Sequence, residues 1–106
     1  MSDRSRNYNE ILIEALKDPK EAIPYLNAAL EECKDGSEES QELLLMALSN
    51  VALAQGGISD LAKRTRLGRE SLYKTLSKKG NPKLTTLITL INAMDFDLKV
   101  SLPSKR

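Results

Sequence analysis

The stretch that decides the fold is ISDLAKRTRLGRESLYKTLSKK, residues 58–79. It contains two short helical patterns, at residues 58–65 and 69–77, on either side of Arg66-Leu67-Gly68. Three residues are enough only for a tight corner. Two helices at this spacing are typical of a helix-turn-helix, whose second helix enters the major groove of DNA.

The second helix of this motif has an inward and an outward side. Leu72 and Leu76 are one turn apart and predict an apolar stripe that faces the core. The side chains on the opposite side then point outward. Arginine and lysine donate to guanine O6 and N7, and glutamate accepts from the cytosine amino group. We therefore expect base contacts from Arg69, Glu70, Tyr73 and Lys74.

Charge is divided unevenly along the chain. Residues 58–83 contain eight basic and two acidic side chains, a net of +6, whereas the first 57 residues contain five basic and eleven acidic ones, a net of −6. The overall charge of +1 therefore conceals a dipolar molecule with a cationic face around the proposed reading helix. Such a face favours nucleic acid as a partner.

Residues at the helix starts and in the following loop are suited to phosphate. Gly80-Asn81-Pro82 breaks the chain after the second helix, at the place where such domains grip the DNA backbone. The alternative for this loop is a solvated segment without a ligand. We expect phosphate contacts from Ser59, Gly68, Lys78, Lys79 and Asn81.

The whole chain predicts an all-α, five-helix domain that contains the helix-turn-helix. We divide this single domain of residues 1–106 into an N-terminal helical extension (1–36), a helix-turn-helix core (37–95) and a strand-like tail (96–106). In the extension, Asp18-Pro19 is a strong helix start, and Pro24 predicts either a kink or a later beginning of the main helix.

Two helices flank the helix-turn-helix. The run at residues 43–53 is apolar around most of its circumference and predicts a central buried helix. The last helix begins near Pro82. It is expected to pack beneath the reading helix through Leu84, Leu87, Ile88, Ile91 and Met94.

Residues 97–102 alternate between polar and apolar, which is the period of a strand. A single strand needs a partner for its backbone groups, and the chain offers no second strand. A two-fold copy or the sheet edge of another protein would supply one. The alternative is a tail that docks on its own helices. We expect partner or dimer contacts from Leu98, Val100 and Leu102.

Composition argues against several classes of protein. There is no histidine, and the one cysteine, Cys33, allows neither an internal disulfide nor a zinc site of the usual composition. No phosphate-cradling glycine loop is present. We expect no enzyme, no cofactor and no metal. Neither a membrane span nor a signal peptide can be recognised, so we expect a cytoplasmic protein.

The segment GISDLAKRTRLGRESLYKTLSKKGNPKLTTLITLINAM resembles the phage-repressor/Cro-type helix-turn-helix. Within that group, RESLYKTLS followed by GNP and a leucine-rich helix more closely resembles the antidote (antitoxin) proteins of chromosomal toxin–antitoxin addiction modules. The resemblance covers residues 8–102 and is distinctive at residues 61–94.

The corner departs from the family pattern at two positions. The family usually has glycine where this chain has Arg66, and a serine or threonine cap where it has Gly68. We expect Arg66 to adopt the left-handed conformation at a cost of about 1 kcal/mol. Gly68 offers its backbone N–H but no capping hydroxyl.

The resemblance implies a homodimer that binds a palindromic operator of double-stranded DNA, represses its own operon and neutralises a cognate, RNA-cleaving toxin. The acidic first half suits a basic partner of this kind. Two alternatives remain. One is a stand-alone phage-type repressor, and the other is a protein-interaction module without DNA binding.

Overall fold

The structure, a computed structural model, describes residues 2–77 and 79–103, and residues 2–7 by their backbone alone. Over these residues it is all-α, as predicted. A turn of 3-10 helix, Cys33–Asp35, follows the second α-helix. The six α-helices are α1 (Ser2–Ala15), α2 (Pro19–Glu32), α3 (Glu38–Ala54), α4 (Ile58–Thr65), α5 (Arg69–Thr75) and α6 (Leu84–Ala93).

The predicted number of five helices is wrong by one, since six α-helices are found in the described residues, two of them in the N-terminal extension. Asp18 caps α2 by accepting a hydrogen bond from the Lys20 N–H at 3.0 Å, and Pro19 occupies the first helical position. The helix then continues through Pro24 to Glu32. A later start at Pro24 is therefore wrong.

A hydrogen-bonded junction fixes the start of α3. The Ser37 hydroxyl accepts from the Ser40 N–H at 3.1 Å, and the Asp35 carboxylate accepts from the Ser37 N–H at 2.9 Å and the Ser40 hydroxyl at 2.8 Å. Hydrogen bonds from the Ser37 backbone and then the two serine side chains hold the pKa of Asp35 below its usual value. Ser40 is consequently buried with its hydroxyl satisfied.

The core is built around one face of α3, which packs against α1, α2 and α4. Leu45, Leu48 and Val51 are fully buried there. The prediction of a central helix is confirmed for this face only. On the opposite face Leu43, Met46 and Leu53 are 50%, 56% and 53% exposed, so burial around most of the circumference is wrong.

The last helix, α6, makes its main contacts with α4. The prediction that it packs beneath α5 is therefore wrong. Its buried face is rotated toward Leu90, which is fully buried together with Met94. Leu84 and Ile88 are exposed, contrary to prediction. A sequence period gives the width of an apolar stripe, but the neighbouring helix decides which edge of it is covered.

The tail beyond α6 forms neither helix nor strand over residues 96–103, so the predicted strand is not formed. The Phe96 N–H donates to the Ile91 carbonyl at 3.1 Å, and its ring packs against the core. Beyond it Leu98, Val100 and Leu102 are exposed. The physical reason is the missing partner, because a strand needs a second one to satisfy its backbone groups.

The loop after α5 passes so close to the end of that helix that it requires a glycine. A Cβ atom at Gly80 would lie 2.1 Å from the Thr75 carbonyl oxygen, well inside any real contact. The Gln41 side chain of α3 also donates to the Gly80 carbonyl at 3.0 Å. The end of α5 and the start of α3 are thereby held together.

We expect Gly80→Ala to lower the free energy of unfolding by about 1–3 kcal/mol, because the backbone must shift to accept a methyl group. Urea denaturation measures the loss. Gly68→Ala is the matched control, since its Cβ would lie 3.7 Å from the Ser71 Cβ, an ordinary contact. Equal losses in the two variants would contradict this account of Gly80.

Candidate nucleic-acid interface

Two helices and a three-residue corner form the centre of the candidate site. The first, α4, ends at Arg66, which has a left-handed backbone (φ 63°) and donates its N–H to the Ala62 carbonyl at 2.8 Å. Gly68 is the extended residue before α5 and has no capping side chain. Both expectations for the corner are confirmed. The Leu67 N–H is satisfied by the Thr65 hydroxyl at 3.2 Å.

The inward side of this pair is packed as predicted. Leu72 of α5 is 1% exposed, Leu76 is buried at the end of α5, and Leu61 of α4 is fully buried in the same core. Ala62 of α4 is half-buried and packs against the same core. The orientation of α5 is therefore set by leucines, and the side chains of residues 69–71, 73 and 74 face solvent.

The four predicted base-contacting side chains all lie on the exposed part of α5. Arg69, Glu70, Tyr73 and Lys74 are each exposed. Among the described residues Glu70 and Lys74 make no ion pair. The Arg69 guanidinium lies 5.8 Å from the centre of the Tyr73 ring, within cation–π range. This stacking restricts Arg69 to the same side of the helix as Tyr73.

Only some of the predicted phosphate contacts lie beside the reading helix. Ser59, in the first turn of α4, is exposed and lines a groove with Tyr73 of α5 and with Ser77, which follows that helix. Gly68 is exposed at the start of α5. A backbone N–H at a helix start and a nearby hydroxyl are both suitable phosphate donors.

The loop after α5 is placed in a different electrostatic environment. Lys79 and Asn81 are exposed, but they share a surface depression with Glu38 and Glu42 of α3. These carboxylates oppose a phosphate at that edge. No local pattern predicts their proximity, because they lie about forty positions away in the chain. Lys78 lies outside the described residues.

One basic side chain in the cationic stretch has a structural role. Arg64 donates through Nη1 to the carbonyl of Ala93 at the end of α6, and its Nε lies 3.1 Å from Asp60 Oδ2. A cation is stabilised at a helix C-terminus, where the unsatisfied carbonyls carry partial negative charge. Arg64 therefore fastens α6 to α4, a role that no local pattern indicated.

The residues predicted for partner contact are the most open apolar groups of the tail. Val100 is 101% exposed and Leu102 is 89% exposed, while Leu98 is 42% exposed. Leu98 also lines an apolar groove with Ile23 of α2 and Leu48 of α3. The tail thus leaves the core after Phe96 and presents alternating aliphatic side chains to solvent.

Within the described ranges, 2–77 and 79–103, no group of histidine, cysteine, aspartate and glutamate could hold a metal ion. No helix there is by itself both long and apolar enough to cross a membrane, although α3 and α4, bent by 93°, meet the length and composition test as a pair.

Comparison with known proteins gives two matches. A family model described as "Probable addiction module antidote protein" matches residues 8–102. An uncharacterized protein of Haemophilus influenzae is 31% identical over 100 residues, which are 94% of this chain and 94% of that protein. No solved structure matches significantly. The matched residues include α2 to α6 and the exposed part of the tail.

Proposed function

The chain belongs to the family of addiction-module antidote proteins, and from that premise we propose that it is a DNA-binding antitoxin. In this proposal it neutralises a cognate, RNA-cleaving toxin and represses its own operon from the cytoplasm. Family membership supports the antitoxin role. The observation that supports DNA binding is the exposed, cationic side of α5.

In the proposed complex α5 lies in the major groove. Its length suits this role, because only the first turns of a reading helix contact base edges. Arg69 reads a guanine, and its stacking on Tyr73 reduces the conformational entropy lost on binding. Glu70 accepts from a cytosine amino group, and Lys74 donates to a further base.

Phosphate contacts would fix the register of α5 on the duplex. Ser59 and the Gly68 N–H are well placed, because they flank the exposed side of α5. Lys79 and Asn81 extend the contact along the strand, with Lys79 offsetting the nearby Glu38 and Glu42. A phosphate contact by Lys78 is also proposed, on the basis of its position in the sequence alone.

We propose that the protein acts as a homodimer on a palindromic operator. Two copies of α5 would then enter successive major grooves, about 34 Å apart. Pairing of two tails through Leu98, Val100 and Leu102 is one way to form the dimer. Each tail would supply the partner strand that the other needs, and the aliphatic side chains would be covered. A sheet edge of the toxin is the other candidate for this tail.

In this proposal the single domain of residues 1–106 has three parts with different tasks. Residues 37–95 contain the DNA-reading core, and residues 96–106 supply the pairing tail. The extension at residues 1–36 carries much of the negative charge and has exposed carboxylates on both helices. That charge matches an RNA-binding toxin, whose own surface must be basic.

Co-expression tests the antitoxin role. The test uses the cognate toxin, which we expect to be a small basic protein encoded next to this chain. It is induced alone and then together with this chain. We expect growth to stop in the first case and to recover in the second. Continued arrest in the presence of folded antitoxin would contradict the proposal and favour a stand-alone repressor.

Base reading by Arg69 is tested with Arg69→Ala on the operator and on an unrelated duplex. We expect a loss of about 1–3 kcal/mol on the operator and little change on the unrelated DNA, since the interaction depends on a base. Fluorescence anisotropy measures both. Lys63→Ala, which removes an exposed cation of α4, is the control and should not change the ratio of the affinities for the two duplexes. An equal loss of affinity for both duplexes would mean that Arg69 contacts a phosphate and not a base.

Salt dependence tests Lys79. Each phosphate neutralised by a side chain adds about 0.9 to the slope of log Kobs against log salt. We therefore expect Lys79→Ala to reduce the slope by about one unit on every sequence. An unchanged slope would remove Lys79 from the DNA interface and leave it as a neighbour of Glu38 and Glu42.

A further inference from the structure

A stripe of large aliphatic side chains remains uncovered on α3. Leu43, Met46 and Leu53 are each about half exposed, although other residues of the same helix form the centre of the core. Their spacings of three and seven residues place them on one face. The stripe, defined by these three residues, extends over roughly 15 Å of helix.

The stripe lies along a groove between α3 and the end of α5. Glu39, Glu42, Leu43 and Met46 form the α3 wall, and Leu76 of α5 contributes from the other side. No lysine or arginine is among the described residues that line this part of the groove. Its character is therefore apolar with an acidic edge.

Exposed apolar surface edged by charge is typical of protein interaction sites, because a partner that covers it removes apolar area from water. We propose that this stripe is the docking surface for the toxin. The toxin would contribute an apolar ridge that is flanked by lysine or arginine side chains. The inference rests on the proposed antitoxin function and adds the surface and the chemistry of the partner.

Charge distinguishes a basic toxin from a second copy of the chain. A two-fold dimer through the stripe would place the Glu39 and Glu42 carboxylates of both copies in one interface. Like charges there oppose association. A toxin that binds RNA carries the opposite charge, and its basic groups would pair with the same carboxylates.

The acidic end of the stripe can be tested apart from DNA binding. Leu43 and Met46 lie on α3 and do not belong to the residues assigned to DNA, whereas Glu42 shares a depression with the proposed phosphate contact Lys79. The other end, at Leu53, shares a groove with Ser59 and Tyr73. Substitutions are therefore best confined to the acidic end.

The test measures the affinity of full-length variants for the cognate toxin, purified in a catalytically inactive form, by calorimetry at two salt concentrations. We expect Met46→Lys to weaken binding by at least tenfold, the effect of disrupting a central interface residue. Glu42→Lys should also weaken binding and reduce its salt dependence. The matched control is Leu84→Lys, because Leu84 is another exposed leucine, 67% exposed on α6. This variant should bind the toxin as tightly as the wild type does.

Three outcomes would overturn the inference. If the wild-type chain does not bind the toxin, the proposed function fails with it. If the wild type binds and both α3 variants bind equally well, the docking surface alone is wrong. If Met46→Lys leaves toxin binding intact but dissociates a homodimer in sedimentation, the stripe is a self-interface. Unchanged thermal unfolding establishes that each variant is folded.

Discussion

The burial of Leu72 is the constraint on which the candidate interface depends. α5 has only seven residues, which is too few for a helix to be stable alone in water. Its stability must come from packing, and full burial of one leucine contributes about 1.5–3 kcal/mol. Leu72 and Leu76 hold one side of α5 in the core with Leu61 of α4, and the opposite side is presented to solvent for the same reason.

Electrostatics then divides the surface into parts of opposite charge. The exposed side of α5 presents Arg69 and Lys74, whereas the start of α3 presents Glu38, Glu39 and Glu42. These two regions meet at the loop with Lys79. A cationic helix beside an acidic, partly apolar groove suits a protein that binds DNA and a basic protein on adjoining surfaces.

The central pair of helices could be predicted from the sequence, because its determinants are local. Residues 58–65 match α4 as observed, and the left-handed Arg66 follows from the three-residue corner. The second helix ends at Thr75, two residues earlier than expected, since Leu76 already has a non-helical backbone. Exposure of the four α5 side chains followed from the Leu72 and Leu76 spacing, while their contacts with DNA stay a prediction.

The remaining features depend on distant contacts that no local pattern encodes. The hydrogen bond from Arg64 to the Ala93 carbonyl joins residues 29 positions apart and gives a basic side chain of the cationic stretch a structural role. The rotation of α6 toward Leu90 is decided by α4. The tail has the period of a strand, but a strand forms only with a partner strand, and residues 2–77 and 79–103 contain none.

The most direct measurement of the central claim is an NMR titration of the labelled protein with its operator duplex. If α5 is the reading helix, the backbone amide shifts should concentrate at Ser59, Gly68 to Lys74, and Lys79 to Asn81. They should be larger for the operator than for an unrelated duplex. Shifts confined to α1, α2 or the stripe on α3, or no shifts at low salt, would contradict the account.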